Sequence, residues 1–94
     1  MDKPEAKLYE LVRKLRSFHL ADRKKLTQVS GEITYLLKSL FDESFQNRNK
    51  VLIYLDEIKR SCPEAFKMII ERDQTLRAMS RELNKLKFYK RGRR

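Results

Sequence analysis

Only two glycines and two prolines punctuate the 94 residues of this chain, which leaves too few tight-turn formers for a hairpin-rich β fold. Between them, apolar residues recur at spacings of three and four, the pattern of amphipathic helices. Leu8, Leu11, Val12, Leu15 and Phe18 share one face of a helix predicted over about residues 4–18, with Asp2 as cap and Pro4 in the first turn. A second stripe of Leu26, Val29, Ile33, Leu36, Leu37, Leu40 and Phe41 predicts a helix over about 22–43, capped by Asp22. Gly31 falls inside that stripe and costs about 1 kcal/mol relative to Ala. The spacing runs through it, so one helix is expected rather than two, and the glycine leaves room for a neighbouring helix to pass closely.

Ser44, Asn47 and Asn49 are alternative caps for a third helix carrying Val51, Leu52, Leu55 and Ile58, with Lys59 and Arg60 at its C-terminal end. The clearest boundary is SCPE: Ser61 as cap, Pro63 in the first turn and Glu64 three residues beyond the cap. From there no Gly or Pro intervenes until Gly92, so the last helix is predicted over 62 to about 90. The expected fold is all-α: a small bundle of about four helices with a long C-terminal helix. Residues 1–90 are read as a single helical domain and 91–94 as a basic tail.

Ile69, Leu76 and Leu83 lie seven apart on the long helix, with Ala65, Met79 and Leu86 at companion positions and Arg72 as a fault in the seam. At 1.5 Å per residue that helix spans about 42 Å, against about 22 Å for the first. The seam of Ile69, Leu76, Met79, Leu83 and Leu86 is therefore expected to outreach the monomer core and pack on another chain, a second copy foremost. The competing expectation is that the second helix covers most of it.

Lys and Arg outnumber Asp and Glu by 23 to 13, and the excess is unevenly placed. Residues 42–73 are nearly balanced, with six bases and seven acids, and 74–94 hold eight bases and one acid. In the balanced part, Lys38 and Asp42, Asp56 and Arg60, Lys67 and Glu71, and Asp73 and Arg77 sit four apart, as on ordinary solvated helix faces. At the C-terminus, Lys85, Lys87, Lys90, Arg91, Arg93 and Arg94 follow Glu82 without a further acid, and Glu82 has only Lys85 as a local partner. Phe88 and Tyr89 lie within that run. Cations suit phosphates, and rings suit exposed bases. A second cluster, Arg13, Arg16, Arg23, Lys24 and Lys25 together with Lys14, flanks the first interhelical turn, opposed only by Asp22.

Catalysis finds little footing. The single His, His19, rules out a two-His metal site within one chain. The single Cys, Cys62, rules out an internal disulfide and reads as a small packing residue. Asp42–Glu43 and Asp56–Glu57 are adjacent pairs about 100° apart on a helix, poor geometry for an acid/base dyad. No Gly-rich phosphate loop is present, and no cofactor or metal is expected. No run approaches the roughly 20 apolar residues of a bilayer span. Asp2, Glu5 and Glu10 are out of place in a secretory signal, so an intracellular location is expected, in cytoplasm or nucleus. A helix-turn-helix placed on KKLTQVSGEITYLLKSL requires Gly31 to break the helix and puts Ser30 and Glu32 where apolar residues are wanted.

The KLYELVRKLRSF and NRNKVLIYLDEI stretches resemble the helical domain of GINS replication proteins. YLDEIKRSCPEAF is similar to the closing helices of S15-like ribosomal proteins, without their His- and Ser-rich loop. Each likeness covers less than half of the chain and brings no functional residue with it. The residues themselves point to a non-enzymatic nucleic-acid-binding accessory or regulatory protein, with DNA or RNA as partner. The alternative is a protein–protein adaptor that docks an apolar seam and uses its basic tail for targeting or orientation.

Overall fold

A computed structural model of the chain describes residues 3–17 and 23–92, with side chains described for 5–17, 23–83 and 85. Among the described residues there are five α-helices and one 3₁₀ turn: α1 (Lys3–Lys14), α2 (Arg23–Glu43), the 3₁₀ turn (Phe45–Asn47), α3 (Arg48–Ser61), α4 (Pro63–Arg72) and α5 (Gln74–Gly92). The all-α expectation holds. The predicted caps Asp2 and Asp22, and with them Phe18 and His19, lie outside the described residues.

Each junction has a local cause. Ser44 is extended, and its Oγ accepts from the Gln46 N–H at 3.1 Å, which starts the 3₁₀ turn. The side chain of Asn47 does not cap α3. Its Nδ2 instead donates to the Leu40 carbonyl at 2.8 Å and satisfies the C-terminal end of α2. The break between α3 and α4 falls at Cys62 rather than Ser61. The proline ring at 63 disfavours helical backbone at the residue before it, and Cys62 takes φ −154°, ψ 89°. Ser61 is the last residue of α3 and supplies no cap.

The main departure is at Asp73. The long helix predicted over 62–90 is two helices, because Asp73 adopts extended backbone (φ −136°, ψ 122°) and its Oδ1 accepts from the Leu76 N–H at 3.0 Å. This is side-chain capping of a new helix start, which stabilises by about 1 kcal/mol. Arg77 completes the joint: its Nε donates to the Ile70 carbonyl at 3.2 Å, satisfying an acceptor at the end of α4. Asp73 and Arg77 thus brace the junction rather than forming the expected ion pair, and Arg77 stays solvent-exposed while its Nε makes that contact. The predicted pairs Lys38–Asp42 (3.3 Å) and Asp56–Arg60 (3.2 Å) do form.

The core is one cluster. Leu8, Leu11, Val12 and Leu15 of the first helical segment meet Leu26, Val29, Ile33, Leu37 and Leu40 of α2, and Val51, Leu52, Leu55 and Ile58 of α3. Ala65 and Ile69 of α4 and Leu76, Met79 and Leu83 of α5 close it. Burying a Leu or Ile side chain stabilises by about 1.5–3 kcal/mol. The most extensive packing is α2 on α4, and α5 lies at the margin against α4 and α3. The Cα radius of gyration is 13.2 Å, close to the roughly 13 Å of a 100-residue globule, so the helices fold back on one another rather than forming an extended rod. α2 runs unbroken through Gly31, as the spacing predicts, and the helix-turn-helix reading of that stretch falls with it. No described helix is long and apolar enough to cross a membrane.

Candidate nucleic-acid interface

The sequence order of α5 fixes what it shows to solvent. Leu76, Met79, Ser80 and Leu83 are buried, and Gln74, Arg77, Ala78, Arg81 and Lys85 are exposed. At 3.6 residues per turn those five exposed residues fall within about 100° of arc. Arg77, Arg81 and Lys85 are spaced by four and form a row of cations, each about 6 Å of helix rise from the next.

Glu82 is the one acid between Gln74 and the end of the sequence. It is half-buried at the flank of this face and accepts a hydrogen bond from the Arg48 guanidinium of α3. Its expected partner, Lys85, is left exposed, with no ion pair among the described residues. The face is thereby cationic without an interspersed carboxylate. Like charges four apart on an exposed helix face destabilise by about 0.2–0.5 kcal/mol per pair, so an anion bridging the row relieves that cost.

Of the residues assigned from sequence to the C-terminal site, Lys85 is the one whose side chain is described, and it is exposed. Helical backbone continues to Gly92, past the residue where the tail was predicted to begin. The side chains of Lys87, Phe88, Tyr89, Lys90 and Arg91, and all of Arg93 and Arg94, lie outside what is described. Arg77 and Arg81 were missed. The spacing 77/81/85 was visible, but pairing Arg77 with Asp73 hid it.

The second cluster is different in kind. Arg16 reaches across to α3, where Nη2 donates to Glu57 Oε1 at 2.7 Å and Nε to Ser61 Oγ at 3.5 Å. Arg23 faces Glu64 of α4 at 3.8 Å, and Arg13 lies 5.8 Å from the centre of the Tyr9 ring. Lys14, Lys24 and Lys25 are exposed. Carboxylates of α3 and α4 therefore face Arg16 and Arg23 in a patch that looked unopposed in sequence, though exposed pairs of this kind are weak, at about 0–1 kcal/mol.

The association seam is corrected. Ile69 and Leu76 are fully buried, and Met79 and Leu83 nearly so, all within the chain's own core. The break at Asp73 folds the seam inward, so these four offer no apolar surface to a second copy or to a larger complex. Leu86, the fifth, is outside the described side chains. Cys62 is buried in the same core, in keeping with packing. No group of three or more His, Cys, Asp or Glu able to hold a metal ion occurs among the described residues. Burial first, then the nearby Glu5 carboxylate, raises the pKa of Tyr54. That pair braces α1 on α3 and lies apart from the cationic face. Compared with family models, curated proteins and solved structures, the chain shows no match in any of the three.

Proposed function

We propose that this chain is a non-enzymatic accessory or regulatory protein that binds nucleic acid chiefly through phosphates, using the exposed face of α5 and the basic residues beyond Lys85. The observation that supports this reading is the acid-free row Arg77, Arg81 and Lys85, from which Glu82 is drawn aside by Arg48. Mutual repulsion along the row favours a polyanion over bulk solvent. Lys87, Lys90, Arg91, Arg93 and Arg94 continue the same sign of charge in sequence. Arg13, Arg16, Arg23, Lys24 and Lys25 contribute less in this reading, because Arg16 and Arg23 already have carboxylate partners.

The test is a salt titration of binding to labelled duplex DNA, single-stranded DNA and RNA, read by fluorescence anisotropy. With about six phosphates neutralised on duplex, log K falls against log salt with a slope of about −5. The double substitution Arg77→Ala with Arg81→Ala lowers the magnitude of that slope by about 2. Binding that is indifferent to salt, or a double variant with the wild-type slope, rejects the proposal.

A further inference from the structure

Resting on that reading of α5, we infer that the helix enters the major groove of duplex DNA and reads base edges there. A phosphate-only contact needs cations alone. The exposed arc offers more: Gln74, Arg77, Ala78, Arg81 and Lys85, one after another along the helix. These side-chain types match the donor and acceptor patterns of the major groove, with Arg or Lys to guanine O6 and N7, Gln to adenine N6 and N7, and an alanine methyl to the thymine methyl. Ala78 sits between the two arginines and ends at Cβ, so the backbone can seat deeply at that point. A carboxylate on this arc would meet phosphates at the groove walls, and Glu82 is held off it by Arg48.

Dimensions and surroundings agree. An α-helix with its side chains is about 10–12 Å across, and the B-form major groove is about 12 Å wide. α5 lies at the margin of the bundle, and its solvent side is unobstructed by α3 and α4, which pack on the opposite face. Its 19 residues make a rod about 28 Å long, nearly one turn of duplex. The A-form major groove of RNA is too deep and narrow for such a helix. Stacking on single strands needs exposed rings; the arc from Gln74 to Lys85 carries none, and Phe88 and Tyr89 further along α5 make single-stranded DNA the arm of the test that must bind more weakly.

The experiment is selection of full-length protein against a random-sequence duplex pool at moderate salt, followed by affinity measurement on the enriched duplex and its single-base variants. Enrichment of a defined sequence is expected. Q74A and R81A should each relax preference at one base position, by roughly 5- to 150-fold, with melting curves unchanged because both residues are solvent-exposed. Duplex binding without enrichment overturns groove reading and leaves phosphate binding standing. Tighter binding to RNA or single strands also overturns it. No retention of any nucleic acid overturns both. If Q74A and R81A weaken all sequences equally, the arc touches phosphates only and the inference fails.

Discussion

Gly31 offers a sharp test of how α2 is built. It lies in the interior of a 21-residue helix, and no residue in the described backbone has positive φ. A Cβ added there meets Arg72 Nη1 at 3.7 Å and Cζ at 3.8 Å. These are ordinary van der Waals distances, and the neighbour is the end of a flexible, exposed side chain rather than backbone. Glycine in a helix interior costs about 0.8–1 kcal/mol relative to alanine, and its extra freedom in the unfolded chain accounts for much of that. Gly31→Ala should therefore stabilise by about 0.5–1 kcal/mol. In a domain of this size that raises Tm by about 3–6 °C. Thermal and urea denaturation followed by far-UV circular dichroism should show the gain with an unchanged m-value. A fall in Tm would refute the reasoning, because it would mean that α2 bends at Gly31 or that α4 approaches too closely for a methyl group.

Three further outcomes follow from single contacts. Ser30→Ala should be neutral or stabilising by up to about 1 kcal/mol, since Ser30 Oγ is buried without a hydrogen-bond partner; a clear loss in urea melts would reveal a partner. Asp73→Ala should cost about 1 kcal/mol by removing the cap on α5, while Asp73→Asn retains most of it, and equal stability of all three proteins would refute the capped joint. The raised pKa of Tyr54 means the fold favours the neutral phenol. Its contribution to stability is present below the ordinary tyrosine value of about 10 and is lost as pH rises through the folded value. The difference in stability between wild type and Tyr54→Phe should therefore change only in that alkaline window, and a difference that changes near neutral pH would count against it.

Much of the bundle was legible because burial writes a period of three and four into the sequence whatever the tertiary arrangement. Leu26 to Leu40 predicted α2 through Gly31, and Pro63 marked the start of α4. The joint at Asp73 escaped for a physical reason. Ile69 and Leu76 face the same core from two different helices, so the seven-residue spacing persists across a break in the backbone. The spacing reports which side chains are buried, not whether the helix between them is continuous. Arg72, the fault in the seam, stood next to the break and was the available signal. The partner of Glu82 was out of reach for a different reason: Arg48 is 34 residues away in sequence, and no local pattern records such a pairing. The same holds for Glu57 and Glu64, whose approach to Arg16 and Arg23 depends on how α3 and α4 fold back.

The one-residue link at Asp73 also decouples the angular phase of α5 from that of α4. An insertion at the link can be absorbed by its extended backbone, leaving Arg77, Arg81 and Lys85 outward and Leu76 inward. The same insertion a turn later, between Met79 and Arg81, would rotate everything downstream by about 100° and swing Leu83 away from the interior. A one-residue insertion should thus leave the fold intact at the link and destabilise it a few residues further on.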